Sequence, residues 1–60
     1  MMFKLEAIWK ADKLLRETGE AHIVYREEGT DEYLVADLEW AESAEGQAFV
    51  YDEDIVYVAE

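Results

Sequence analysis

Between Lys4 and Thr18 the apolar residues Ala7, Ile8, Ala11, Leu14 and Leu15 recur at three- and four-residue steps, with Glu6, Lys10, Lys13 and Glu17 gathered opposite. The spacing predicts an amphipathic helix near residues 5–18. Glu6–Lys10, Asp12–Arg16 and Lys13–Glu17 stand at i,i+4, and Gly19 falls where a left-handed cap ends a helix. The first turns admit a competing reading. Phe3, Leu5, Ala7 and Trp9 alternate with Lys4, Glu6, Ile8 and Lys10, which also suits a short strand ahead of a later helix.

Farther along, the period shortens. The β-rich run Ile23-Val24-Tyr25 predicts a strand near 21–27, and Glu28-Gly29-Thr30-Asp31 supplies turn residues after it. Leu34, Ala36, Leu38 and Trp40 alternate with Val35, Asp37 and Glu39, a two-faced strand near 32–41. A helix from Asp31 to Glu45, capped by Thr30 and closed by Gly46, competes with it. Such a helix spreads Val35, Ala36 and Trp40 around its girth with Glu39 and Glu42, and sets Glu42 and Glu45 at the negative end of its dipole. The strand is preferred. After a polar loop at 42–47, the runs 48–51 and 55–58 flank Asp52-Glu53-Asp54 as one bent strand or as two strands of a hairpin. The expected fold is α+β: the helix packs on an antiparallel sheet of three or four strands, near 21–27, 32–41, 47–51 and 55–59.

Composition narrows the setting. Sixty residues make a single small domain, 1–60, which buries only about 60% of the surface its unfolded chain exposes. Cysteine is absent, so neither a disulfide nor a thiolate metal site supplements the core. The apolar share is 52%, too high for a disordered acidic tail and high enough that a homodimer stands beside a monomer as an expectation. No apolar run approaches the roughly 20 residues of a membrane span, and Lys4, Glu6 and Lys10 interrupt the stretch a signal peptide would need. A soluble, cytoplasmic protein is expected.

Charge changes the picture most. The formal net charge is −11, and its distribution is lopsided. The first 26 residues hold all five Lys and Arg against four acids. After Arg26 come Glu27, Glu28, Asp31, Glu32, Asp37, Glu39, Glu42, Glu45, Asp52, Glu53, Asp54 and Glu60, without one cation to oppose them. Two unit charges about 7 Å apart in water repel by roughly 0.6 kcal/mol before salt screening, and solubility needs a net magnitude of only about 2 to 8. An acidic surface is repelled by nucleic acid and by anionic lipid. The expected partners are therefore basic proteins.

Other chemistry is thinly represented. His22 is the only histidine and Ser43 the only serine, while Thr18 and Thr30 suit helix-end and turn positions. A nucleophile, its base and an orienting group would all have to come from these and the carboxylates, so no catalytic residue is assigned. Asp52-Glu53-Asp54 brings three carboxylates together but lacks the spread of ligands and the bend glycine of a calcium loop, and no metal or cofactor is assigned either. His22 is expected at the sheet surface, and Trp9 and Trp40 in the core.

On one face of an extended strand, side chains repeat every 6.6 to 6.8 Å or so, and a DNA strand carries one phosphate per roughly 3.4 Å of axis. Asp37 and Glu39 on one strand face would then stand in for phosphates. Glu27, Glu28, Asp31 and Glu32 around one turn, and Asp52, Glu53 and Asp54 around another, would extend the row, with Glu42 and Glu45 beside it. In character the chain resembles the small acidic DNA-mimic inhibitors of phages and mobile elements, including anti-CRISPR proteins and uracil-DNA glycosylase inhibitors. The likeness lies in the short cysteine-free chain, the helix with a small sheet, and the unbalanced acidic half; no motif matches residue by residue. It implies a stoichiometric, non-enzymatic inhibitor that occupies the basic groove of a nucleic-acid-binding protein, acting in a host cytoplasm if phage-encoded. An acidic interaction module, such as a toxin-neutralising or regulatory subunit, is the alternative, followed by a housekeeping domain adapted to high salt.

Overall fold

A computed structural model describes residues 2–60. The chain runs α1 (Lys4–Thr18), β1 (His22–Arg26), β2 (Tyr33–Asp37), α2 (Leu38–Glu42), α3 (Ala44–Gln47), a 3-10 turn (Asp52–Asp54) and β3 (Ile55–Ala59). The three strands form one antiparallel sheet in the order β2-β1-β3. The expected α+β fold, a helix packed on an antiparallel sheet, is what the chain adopts.

α1 is helical from its first turn, so the competing N-terminal strand does not form. Gly19 closes it at φ 75°, donating its N–H to the Leu15 carbonyl. The small side chains of Ala7 and Ala11 are fully buried and let the helix lie close against Val24 of the central strand and Ala59 of β3. Met2, Ile8, Leu15, Tyr33, Val35 and Tyr57 ring that contact.

Successive residues of β1 point to opposite faces, so Ile23, next to Val24, faces away from α1. There it meets Ala41 of α2 and Val50, with Tyr25, Ala36, Leu38, Trp40 and Ile55 around them. Both faces of the sheet are thus covered, and Ile23 and Val24 are the largest fully buried side chains. Burying each is worth about 1.5–3 kcal/mol. That is a large fraction of the roughly 3–9 kcal/mol expected of a 60-residue domain.

Two expectations for the acidic half are corrected. The strand expected near 32–41 stops at Asp37, where the chain turns into α2. Asp37 caps that helix: its Oδ1 accepts the N–H groups of Glu39 at 2.8 Å and Trp40 at 3.3 Å. The competing helix was right in type for 38–42, but its cap is Asp37 and not Thr30. The strand expected near 47–51 is also absent. Ser43 caps α3 by accepting the Gly46 N–H at 3.1 Å, and Val50 drops into the core from the turn that follows. Gly46 is required by proximity, since a Cβ there would sit 2.0 Å from the Trp40 carbonyl oxygen. Asp52-Glu53-Asp54 is accordingly a 3-10 turn leading into β3 and not a hairpin tip.

Candidate protein-interaction surface

The register of the sheet sorts the acids to its two ends. At one end β1 passes into β2 through a loop held by its own backbone. Glu27 donates to the Glu32 carbonyl at 2.9 Å, and Thr30 donates to the Glu27 carbonyl at 3.1 Å. The Thr30 hydroxyl accepts the Glu32 N–H at 3.1 Å, and Gly29 supplies the φ of 82°. This fixed loop leaves Glu27, Glu28 and Asp31 exposed and Glu32 half-buried. Because Ile55 pairs with Tyr25, the 3-10 turn with Asp52, Glu53 and Asp54 stands at the same end. Seven of the expected carboxylates are therefore gathered there. Beside them, burial and then the charge of Glu27 push the Tyr25 pKa above the ordinary value near 10.

At the opposite end Asp37, Glu39 and Glu42 line a shallow depression of about 300 Å³ together with Glu20, over a floor of Ala21 and Leu38. Glu60 follows Ala59, which pairs with His22, and so lies at this end as well. Asp37 and Glu39 do not share a strand face, as the phosphate-row spacing had required. One ends β2 and the other rides on α2. Glu45 is exposed on α3, outside the residues that line the depression. Glu20 was missed because it belongs to the charge-balanced N-terminal part. The pairing of His22 with Asp37 is what brings it alongside.

Five-residue strands at about 3.3–3.4 Å per residue separate the two acidic ends by roughly 17 Å. The Cα extents of 30 × 26 × 15 Å make the molecule a flat body. Among the described residues the only salt bridge is Lys13–Glu17, at 3.8 Å on α1. None of the twelve acids after Arg26 is paired with a cation among the described residues. Glu6–Lys10 and Asp12–Arg16 do not close either, and Asp12 instead accepts the Tyr57 hydroxyl at 2.8 Å.

The remaining polar candidates hold the fold. His22 is buried, contrary to its expected place at the sheet surface, with Nδ1 2.8 Å from the Glu20 carbonyl oxygen. The Ser43 hydroxyl donates to the Trp40 carbonyl and accepts from Gly46, and the Thr18 hydroxyl donates to the Leu14 carbonyl at 2.8 Å. No group of three or more His, Asp or Glu is placed to hold a metal ion, and no helix is long and apolar enough to cross a membrane, among the described residues.

The apolar surface departs from expectation more than the polar one does. Trp40 is half-buried against the second core, but Trp9, expected in the core, is 58% exposed, with the Lys13 ammonium 5.2 Å from its ring centre. Phe3, Leu5, Phe49 and Tyr51 are exposed too. No protein-family model, curated protein or solved structure matches the chain.

Proposed function

We propose that this protein acts by binding, as a stoichiometric inhibitor whose acidic ends occupy the basic groove of a nucleic-acid-binding protein and exclude its DNA or RNA. The observation that carries the reading is the set of twelve carboxylates after Arg26, none of them paired with a cation among the described residues. Their mutual repulsion costs stability that a 60-residue domain has little of, and a cationic partner removes that cost. The arrangement suits a groove. Duplex DNA presents two charged backbones on either side of a major groove about 12 Å wide, and the two acidic ends, roughly 17 Å apart, offer two negative edges at a similar scale. Asp37 contributes charge to one edge while its side chain is held by α2, so it is a fixed charge and not an adaptable one.

The alternative is an acidic interaction module with a partner unrelated to nucleic acid. Its support is the exposed apolar set of Leu5, Trp9, Phe49 and Tyr51, which a pure phosphate surrogate does not need. Capture from a bacterial lysate on the immobilised protein, followed by elution with duplex DNA, separates the two. Release of nucleic-acid-binding proteins by DNA supports the groove reading. Retained proteins that DNA does not release overturn it and favour the module.

A further inference from the structure

β3 is an edge strand, and its outer side is open. On its other flank β1 spends alternate backbone groups on the β2 side: the Ala21 carbonyl accepts from Leu38, and the Glu27 N–H donates to Glu32. His22 and Val24, between them, turn to β3, where they pair with Ala59 and Tyr57. Val58, lying between Tyr57 and Ala59, therefore directs its N–H and C=O away from the sheet. Its side chain is 40% exposed and that of Val56, at the β-bulge, 38%. At the other edge, by contrast, the Met2 carbonyl accepts the Tyr33 N–H at 3.1 Å and covers the start of β2. The run Ile55-Val56-Tyr57-Val58-Ala59 has no charge, proline or glycine to blunt pairing with another strand.

The two faces beside this edge differ, α1 reaching over one and the other lying open at Val58. The Tyr57–Asp12 hydrogen bond places Asp12 over β3, and Leu5 and Arg16 lie near it on α1 at helical spacing. Leu5, 80% exposed, lies on the same side of α1 as Asp12, whereas Trp9 turns outward beside Lys13. On the opposite face α2 packs on β2 and β1, and Val58 stays uncovered.

The charges at the strand's ends select the occupant. Asp52, Glu53 and Asp54 precede β3 and Glu60 follows it. A second copy pairing antiparallel would set those three acids against Glu60 at both ends, and a parallel copy would set like against like. Acids placed opposite acids destabilise a sheet, and each copy carries −11 overall. We infer that the β3 edge takes an extended segment of another protein, with a β-branched or aromatic centre and Lys or Arg at both ends, added to the sheet as a fourth strand. This stands on the edge alone, whether or not the acidic ends fill a nucleic-acid-binding groove.

Selection from a displayed library of random twelve-residue peptides tests it. The enriched peptides carry β-branched or aromatic centres with cations at both flanks, and a selected peptide slows hydrogen exchange at the Val58 amide. Val58→Pro removes the outward N–H and weakens that peptide at least tenfold while the circular dichroism melt stays cooperative. Val58→Lys, which repels the cationic flanks and keeps the backbone donor, weakens it as well and serves if the proline variant misfolds. Failure to enrich any peptide, enriched peptides without flanking cations, or affinity unmoved by both substitutions overturns the inference. So does a dimer through β3 in sedimentation equilibrium.

Discussion

Replacing Asp37 by Asn and by Ala separates its two roles, because both changes remove the same charge and only one keeps the cap. Asn caps a helix about as well as Asp, whereas Ala costs typically about 1 kcal/mol. The Asp37 carboxylate holds two N–H groups at the start of α2, and α2 carries Ala41 and Trp40 onto the core around Ile23. Removing the charge also relieves repulsion from Glu20, Glu39 and Glu42, each such pair being worth roughly 0.5 kcal/mol before screening. Asp37→Asn is therefore expected to melt at or slightly above the parent. Asp37→Ala should lie about 1 kcal/mol below the Asn variant. For a domain of this size that corresponds to about 6–8 °C in Tm. Thermal circular dichroism of the three proteins in about 0.1 M salt reads it directly. Asn and Ala variants melting within about 1 °C of each other would refute the cap and with it the account of why β2 ends where it does.

Gly46→Ala forces a Cβ to within 2.0 Å of the Trp40 carbonyl oxygen and 2.7 Å of the Ala41 Cα, both backbone atoms, so it is expected to cost about 3 kcal/mol or to abolish the cooperative melt. Chemical denaturation measures the loss. The hydrogen bond to Asp12, and then burial, raise the Tyr57 pKa above its ordinary value near 10. The neutral phenol is thus favoured in the folded state, so its stabilisation is complete below about pH 9 and is lost as pH rises through the raised pKa. Tyr57→Phe should flatten the alkaline fall in Tm between about pH 9 and 11, and an unchanged fall would contradict the contact. A cooperative melt is expected in about 0.1 M NaCl, with Tm rising only moderately at higher salt as like charges are screened. Folding only above roughly 1 M salt would instead mark adaptation to high salt.

How far the sequence spoke for itself follows from the strength of its periods. The stripe from Ala7 to Leu15 with Gly19 behind it, and the β-rich runs at Ile23 and Ile55, sit where the pattern placed them, because local preference and burial agree there. From Leu38 to Trp40 they conflict. The two-residue alternation continues unbroken past the end of β2, and the dipole argument against a helix assumed one long element. α2 and α3 are single turns, whose dipoles are too short to penalise Glu42 or Glu45. Asp37 and Ser43, two cap-forming residues six apart, were the available signal. The acidic ends were legible as composition but not as geometry. Which carboxylates meet depends on antiparallel register, which alone brings Glu20 to Asp37 and the 3-10 turn to the Glu27–Glu32 loop. The exposure of Trp9 was legible in the helical period, which sets it four residues before Lys13 and outside the Ala7–Leu15 stripe; residue type alone had suggested the core.

The most direct test of the central claim compares the parent with a variant in which Glu27, Glu28, Asp31, Glu32, Asp52, Glu53 and Asp54 are all replaced by their amides. Both would be titrated between about 50 and 300 mM salt against a nucleic-acid-binding protein recovered in the lysate capture. The account predicts that the parent displaces duplex DNA from that protein and loses affinity at least tenfold across the series, because the contact is between charges. The amide variant, its fold checked by circular dichroism, should bind far more weakly and with a shallower salt dependence. Equal DNA displacement by the two proteins, or an affinity indifferent to salt, would contradict it.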